Sequence, residues 1–109
     1  MEKKEFDKGI VFNFDELVQY ASDSIISRTI LNKGTGTITL FAFDKGQSLS
    51  EHTAPFDALV QLVDGTGIII INGQEFKLEA GQSIIMPANI PHAVMAADKF
   101  KMVLTMIRS

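Results

Sequence analysis

From Gly34 onward, apolar and polar positions alternate in runs of about 5–9 residues, each ended by a turn residue. The breakers are Gly34-Thr35-Gly36, Gly46, Pro55, Gly65-Thr66-Gly67, Asn72-Gly73, Gly81, Pro87 and Pro91, with Gly9 upstream. A period of two puts successive side chains on opposite faces of a strand. The pattern predicts strands over 25–31, 37–43, 58–63, 67–71, 74–78, 83–86, 92–96 and 100–107. In the second of these, Ile38, Leu40 and Ala42 share one face, and Thr37, Thr39, Phe41 and Phe43 share the other. Asn72-Gly73 is a strong two-residue hairpin signal, because both turn positions need positive φ. One stretch reads as helix. Asn13 precedes Phe14-Asp15-Glu16-Leu17-Val18-Gln19-Tyr20, and Glu16 stands where it completes a capping box, so one or two turns are expected.

The last strand breaks the alternation. Lys101-Met102-Val103-Leu104-Thr105-Met106-Ile107 is apolar on both faces, as expected of a strand covered on both sides. Two covers are open: another copy of the chain, giving a homodimer, or the N-terminal helix.

Composition narrows the class. With 109 residues, 46% of them hydrophobic, the chain suffices for one domain over 1–109 and is too short for two. It has no cysteine, which excludes thiolate catalysis, thiolate metal sites and iron–sulfur clusters, and fits a reducing compartment. The formal charge is −3, and apart from Lys3-Lys4 the basic residues are scattered. Nucleic-acid binding, which needs a concentrated positive surface, is not expected. No apolar run is long enough to span a bilayer, and Met1–Phe6 lacks a signal-peptide core, so the expectation is a soluble cytoplasmic protein with no membrane partner.

Two stretches carry motifs. Gly46-Gln47-Ser48-Leu49-Ser50-Glu51-His52-Thr53-Ala54-Pro55-Phe56-Asp57-Ala58, continuing to Gly65, has a glycine, a histidine and a closing glycine at set spacing. Gly81-Gln82-Ser83-Ile84-Ile85-Met86-Pro87-Ala88-Asn89-Ile90-Pro91-His92, continuing to Ala96, has glycine, proline and histidine. Spaced this way, they resemble the two motifs of the cupin superfamily. The resemblance covers about half the chain. It implies an all-β fold, a small antiparallel jelly-roll β-barrel with one short N-terminal helix. A metal-binding cupin takes two histidines and a glutamate from the first motif and one histidine from the second. Here Ala54 and Ala58 stand at the second-histidine and glutamate positions, leaving His52 and His92, and Ala96 stands where an asparagine is usual.

The expected pocket is therefore lined by His52, His92, Ala54, Ala58 and Met86. A divalent transition metal of the zinc, nickel, iron or manganese class on His52 and His92 is one reading. Uncharged histidines anchoring an organic ligand is the other. Strand parity turns Glu51 and Gln61 away from the barrel, a bulge could bring Asp57 near, and Met86 and Met95 offer soft sulfur but more often pack. Phe56 is a rim residue, either a lid or a dimer contact, and Tyr20 is packing. Three functions compete: a small-molecule binding module, a metal-dependent enzyme of dioxygenase, isomerase or decarboxylase type, and a non-catalytic structural or regulatory dimer.

Overall fold

The computed structural model describes residues 6–108; Lys3-Lys4 and the rest of Met1–Glu5 lie outside the described residues. The described residues form one helical turn, α1 (Phe14–Leu17), and eight antiparallel strands. These are β1 (Ile25–Lys33), β2 (Gly36–Phe43), β3 (Ser48–His52), β4 (Asp57–Ile71), β5 (Gln74–Glu79), β6 (Ser83–Met86), β7 (His92–Met95) and β8 (Phe100–Ile107).

The stretches expected as separate strands over 58–63 and 67–71 are one strand, β4, which runs through Gly65-Thr66-Gly67 without a break. Its first half pairs with β8 and β6, and its second half with β5 and β7. β4 thus passes from one sheet, β1-β2-β8-β4-β6, into the other, β5-β4-β7-β3. A register shift between Leu62 and Asp64 marks the bend. The glycines allow the crossing rather than ending the strand. Gly65 has φ +73, and a Cβ there would collide with the Lys99 carbonyl oxygen. A Cβ on Gly67 would lie 2.9 Å from ring carbons of Phe100. That ring is fully buried and stacks on Phe43, centroids 4.7 Å apart, plugging the bent end of the barrel.

The first motif holds a strand that alternation alone did not mark off, β3, which is short and mostly exposed. The helix is shorter than its sequence pattern. Asn13 makes no capping bond to the backbone; its side-chain amide donates to the Glu16 carboxylate at 2.8 Å, so the expected capping box does not form. By Val18 the backbone is extended.

Two apolar clusters result. Inside the barrel pack Phe43, Val60, Leu62, Ile69, Val94, Phe100 and Met102. On the outer face of the first sheet, residues 6–20 form a strap: Phe6, Phe12, Phe14, Leu17, Val18 and Tyr20 pack with Ile30, Leu40, Ala42 and Val103. The strap covers the outer face of β8 at Lys101 and Val103. Lys101 is buried there and bonds both the backbone carbonyl of Asp15 at 2.7 Å and its carboxylate at 3.0 Å. Tyr20 packs in this cluster, its hydroxyl donating to Asp64. Burial, reinforced by that carboxylate, raises the phenol pKa far above its usual value. At the other end of β8 the cover stops, and Ile107 is 64% exposed.

Candidate functional site

The site lies at the end of the barrel opposite the Phe43–Phe100 stack. On the first sheet a cross-strand row runs Met106–Ala58–Met86. On the second, the row at the same end runs Ile71–His92–His52. Directly paired residues share a sheet face. Ala58, Met86 and His92 are buried, Ala54 is half-buried in the loop above, and His52 stands at the solvent edge. Met106 and Ile71 were not among the residues singled out from the sequence. The parity of Met102 and Leu104 with Met106 was the signal for the first; Ile71 follows only from its register with His92.

A register shift decides which first-motif residue meets His92. β3 pairs Leu49 with Val94, so a regular ladder would place Glu51 opposite His92. The shift between Leu49 and His52 inserts one residue and places His52 there instead. A bulge of this kind re-aims a side chain, because one residue of slip reverses every facing. Glu51 is left exposed.

The two imidazoles meet edge to face, centroids 4.3 Å apart, with Nε2 to Nε2 at 3.1 Å. The other nitrogens each face a backbone carbonyl oxygen. His52 Nδ1 lies 2.8 Å from the Ser50 carbonyl oxygen, and His92 Nδ1 lies 3.2 Å from that of Ile90. A carbonyl only accepts, so each Nδ1 is assigned the proton, and each Nε2 presents a lone pair. The two lone pairs face each other. A third proton between them would make one ring an imidazolium. Burial opposes that at His92, lowering its pKa below the usual imidazole value; the Ile90 carbonyl bond pulls the other way, and His52 adds to the lowering.

The unfolded chain therefore takes up this proton more readily than the folded one. Stability contributed by neutral His92 is complete above its unfolded pKa of about 6.5 and declines as pH falls through that value toward the folded one. In urea titrations, the wild-type midpoint is expected to drop more than that of His92→Gln between about pH 7.5 and 5. Equal drops would contradict the assignment of a neutral folded His92.

The loops above the pair are tied together. Asn89 N–H donates to the Ala54 carbonyl at 2.7 Å, and Ala88 N–H to the Asp57 carboxylate at 2.8 Å. Asp57 therefore fastens the second-motif loop. Met95 points outward, 41% exposed, and Gln61 is exposed. Arg108 lies over the Phe56 ring, 6.0 Å from its centroid, at the same rim. Among the described residues, no group of three or more His, Cys, Asp and Glu side chains converges.

The two-sheet architecture and the convergence of both motifs at one mouth agree with a match of residues 39–108 to the Cupin_2 family model, the cupin domain. The chain is a cupin. Among solved structures, a conserved protein of unknown function from Streptococcus pyogenes is 33% identical, with a TM-score of 0.91 over 97% of this chain and 93% of that one. A cupin 2 conserved barrel domain protein from Leptotrichia buccalis is 42% identical, with a TM-score of 0.87 over 89% of this chain; the match spans 47% of its length, about half. A cupin superfamily protein from Desulfitobacterium hafniense shares the fold, with a TM-score of 0.89 over the whole of both chains at 22% identity. No curated protein matches this cupin.

Does this cupin's donor set fit the metal that its family implies? Nitrogens about 2.0–2.1 Å from one ion and about 90–110° apart stand about 2.9–3.4 Å from each other. The observed 3.1 Å falls in that range, and in the assigned tautomers both nitrogens carry lone pairs. The pair fits an ion at two points. Ala54 and Ala58 supply no further donor side chain, so other positions would fall to water or to a bound ligand.

Proposed function

We propose that this cupin is a cytoplasmic small-molecule binding module whose guest enters the histidine end of the barrel and is oriented by His52 and His92. The convergence of the two Nε2 atoms, 3.1 Å apart, with each Nδ1 beside a backbone carbonyl, supports this reading. Two facing lone pairs repel, and an electropositive guest relieves the repulsion: an N–H or O–H donor of an organic molecule, or a metal ion. The neighbouring wall of Ala58, Met86, Met106 and Ile71 offers apolar contact and no charge. Such a mouth suits a ligand with one polar end and an apolar body. Bound there, a divalent ion of the zinc, nickel, iron or manganese class would act as a Lewis acid toward a carbonyl or carboxylate oxygen. His52 and His92 would hold it, and their Nδ1–H bonds to Ser50 and Ile90 would keep the rings aimed.

The test is a thermal-shift screen of small polar–apolar metabolites and of Zn²⁺, run on protein made without a polyhistidine tag. A saturable rise in Tm is expected, abolished in both His52→Ala and His92→Ala. A shift that survives in both variants, or no shift with any compound or with Zn²⁺, would overturn the proposal. A metal-dependent enzyme is the second reading, favoured by the same 3.1 Å spacing. It requires turnover that is lost together with metal in His52→Ala.

A further inference from the structure

The wall facing the histidine pair carries two soft donors. In the row Met106–Ala58–Met86, on β8, β4 and β6, a methionine flanks Ala58 on each side. Directly paired side chains share a face, with Cβ atoms about 4.5–5.5 Å apart. Met86 is buried in the barrel core beside Ala58, and Met106 is half-buried.

Two short loops bring this row to the histidines. Residues 53–56 join His52 to the start of β4, and residues 87–91 join Met86 to His92. The Asn89–Ala54 and Ala88–Asp57 bonds draw the loops together. Ile71, the cross-strand partner of His92, packs against the cluster that contains Ala58 and Met86. Ala58 ends at Cβ, so its own side chain fills little of the space between the two rows. Methionine is unbranched with three rotatable bonds, which lets its sulfur turn toward a guest there.

Taking the histidine pair as a guest site, as proposed above, we infer that the mouth holds Cu(I), a soft monovalent cation, on the Nε2 atoms of His52 and His92 and the thioether sulfurs of Met86 and Met106. Softness and charge point the same way. Thioether sulfur selects Cu(I), whereas zinc takes thiolate, imidazole and carboxylate donors. All four donors named are uncharged. The Asp57 carboxylate is engaged by the Ala88 amide, and Glu51 is exposed. Among the described residues, no acidic side chain joins the two histidines. The Born cost of desolvating an ion rises with the square of its charge, so among neutral donors a monovalent ion costs about a quarter of what a divalent ion of similar size does. The lack of a carboxylate at the mouth therefore favours Cu(I) over a divalent ion.

The experiment is an anaerobic titration of the full chain, made without a polyhistidine tag, in which it competes with bicinchoninate for Cu(I). Zn²⁺ affinity is measured alongside by calorimetry. One Cu(I) per chain is expected. Met86→Leu and Met106→Leu keep the volume and apolarity of the wall. Each should weaken Cu(I) at least about tenfold and leave Zn²⁺ affinity unchanged. Met102→Leu, a buried change of the same kind further along β8 toward Phe100, should alter neither. X-ray absorption at the copper edge should show sulfur neighbours in wild type and none in the double variant Met86→Leu/Met106→Leu. Absence of Cu(I) binding, an affinity indifferent to both methionine changes, or nitrogen neighbours alone would overturn the assignment. So would an equal loss in Met102→Leu, which would make the effect one of packing. The histidine-pair reading fails separately: it stands if Zn²⁺ or an organic guest still raises Tm through His52 and His92, and falls only if those fail as well.

Discussion

Ala58→Glu, combined with Ala54→His, is expected to convert a two-point site into a four-ligand one and to raise Zn²⁺ affinity by at least about 100-fold. Ala58 is buried between Met86 and Met106, its cross-strand partners. It stands at the glutamate position that the family resemblance assigns. A carboxylate placed there without metal is a buried charge set beside the Met86 and Met106 side chains, so the apo variant should melt below wild type. Metal should then recover the lost stability, because binding that requires the folded state is folding free energy. Calorimetric Zn²⁺ titration of both proteins, with melting curves in chelator and in zinc, checks both halves. Unchanged affinity would mean that the mouth does not bring Ala54 and Ala58 to the histidine pair.

Phe100→Ala is expected to cost about 4 kcal/mol, the middle of the range for removing a fully buried phenylalanine. For a chain this size that is a fall in Tm of roughly 15–30 °C. Phe100 is fully buried and stacked on Phe43, and its ring closes over Gly67, where β4 passes between the sheets. The cavity cannot collapse from the Gly67 side without moving the bend itself. Gly67→Ala approaches the same joint from the other side, through a 2.9 Å contact with the ring. Thermal unfolding of both variants tests the joint. A loss at Phe100→Ala under about 1 kcal/mol, far below that range, would contradict its role as the plug.

Much of the barrel was legible in the chain because alternation reports facing directly. The parity of Thr37–Phe43 put Phe41 and Phe43 on one face and Ile38, Leu40 and Ala42 on the other, and the structure turns the first pair into the barrel and the other three under the strap. The Asn72-Gly73 turn was read correctly for the same local reason: both residues have positive φ. What failed was punctuation. Gly65 and Gly67 read as strand breakers, yet they serve a tertiary need, the close passage of Lys99 and Phe100 across β4. The capping box failed because Asn13 and Glu16 satisfy each other, and the chain turns extended at Val18 to lie along the sheet.

At the site, His52 and His92 were visible as the motif residues, but their relative placement rests on a bulge in β3 that no local pattern announces. Asp57 shows the same limit from the other direction. Its position near the mouth could be foreseen. Its use, fastening the Ala88 amide, depends on a partner 31 residues away.

The central claim is that the histidine pair presents two unprotonated Nε2 atoms to one guest. Long-range ¹H–¹⁵N NMR of the imidazole rings at about pH 7.5 reads this directly, because that pH is above the usual imidazole pKa. Both rings are expected in the Nδ1–H tautomer, with both Nε2 resonances moving together on addition of one equivalent of Zn²⁺. Either ring found in the Nε2–H tautomer, or only one resonance moving, would contradict it.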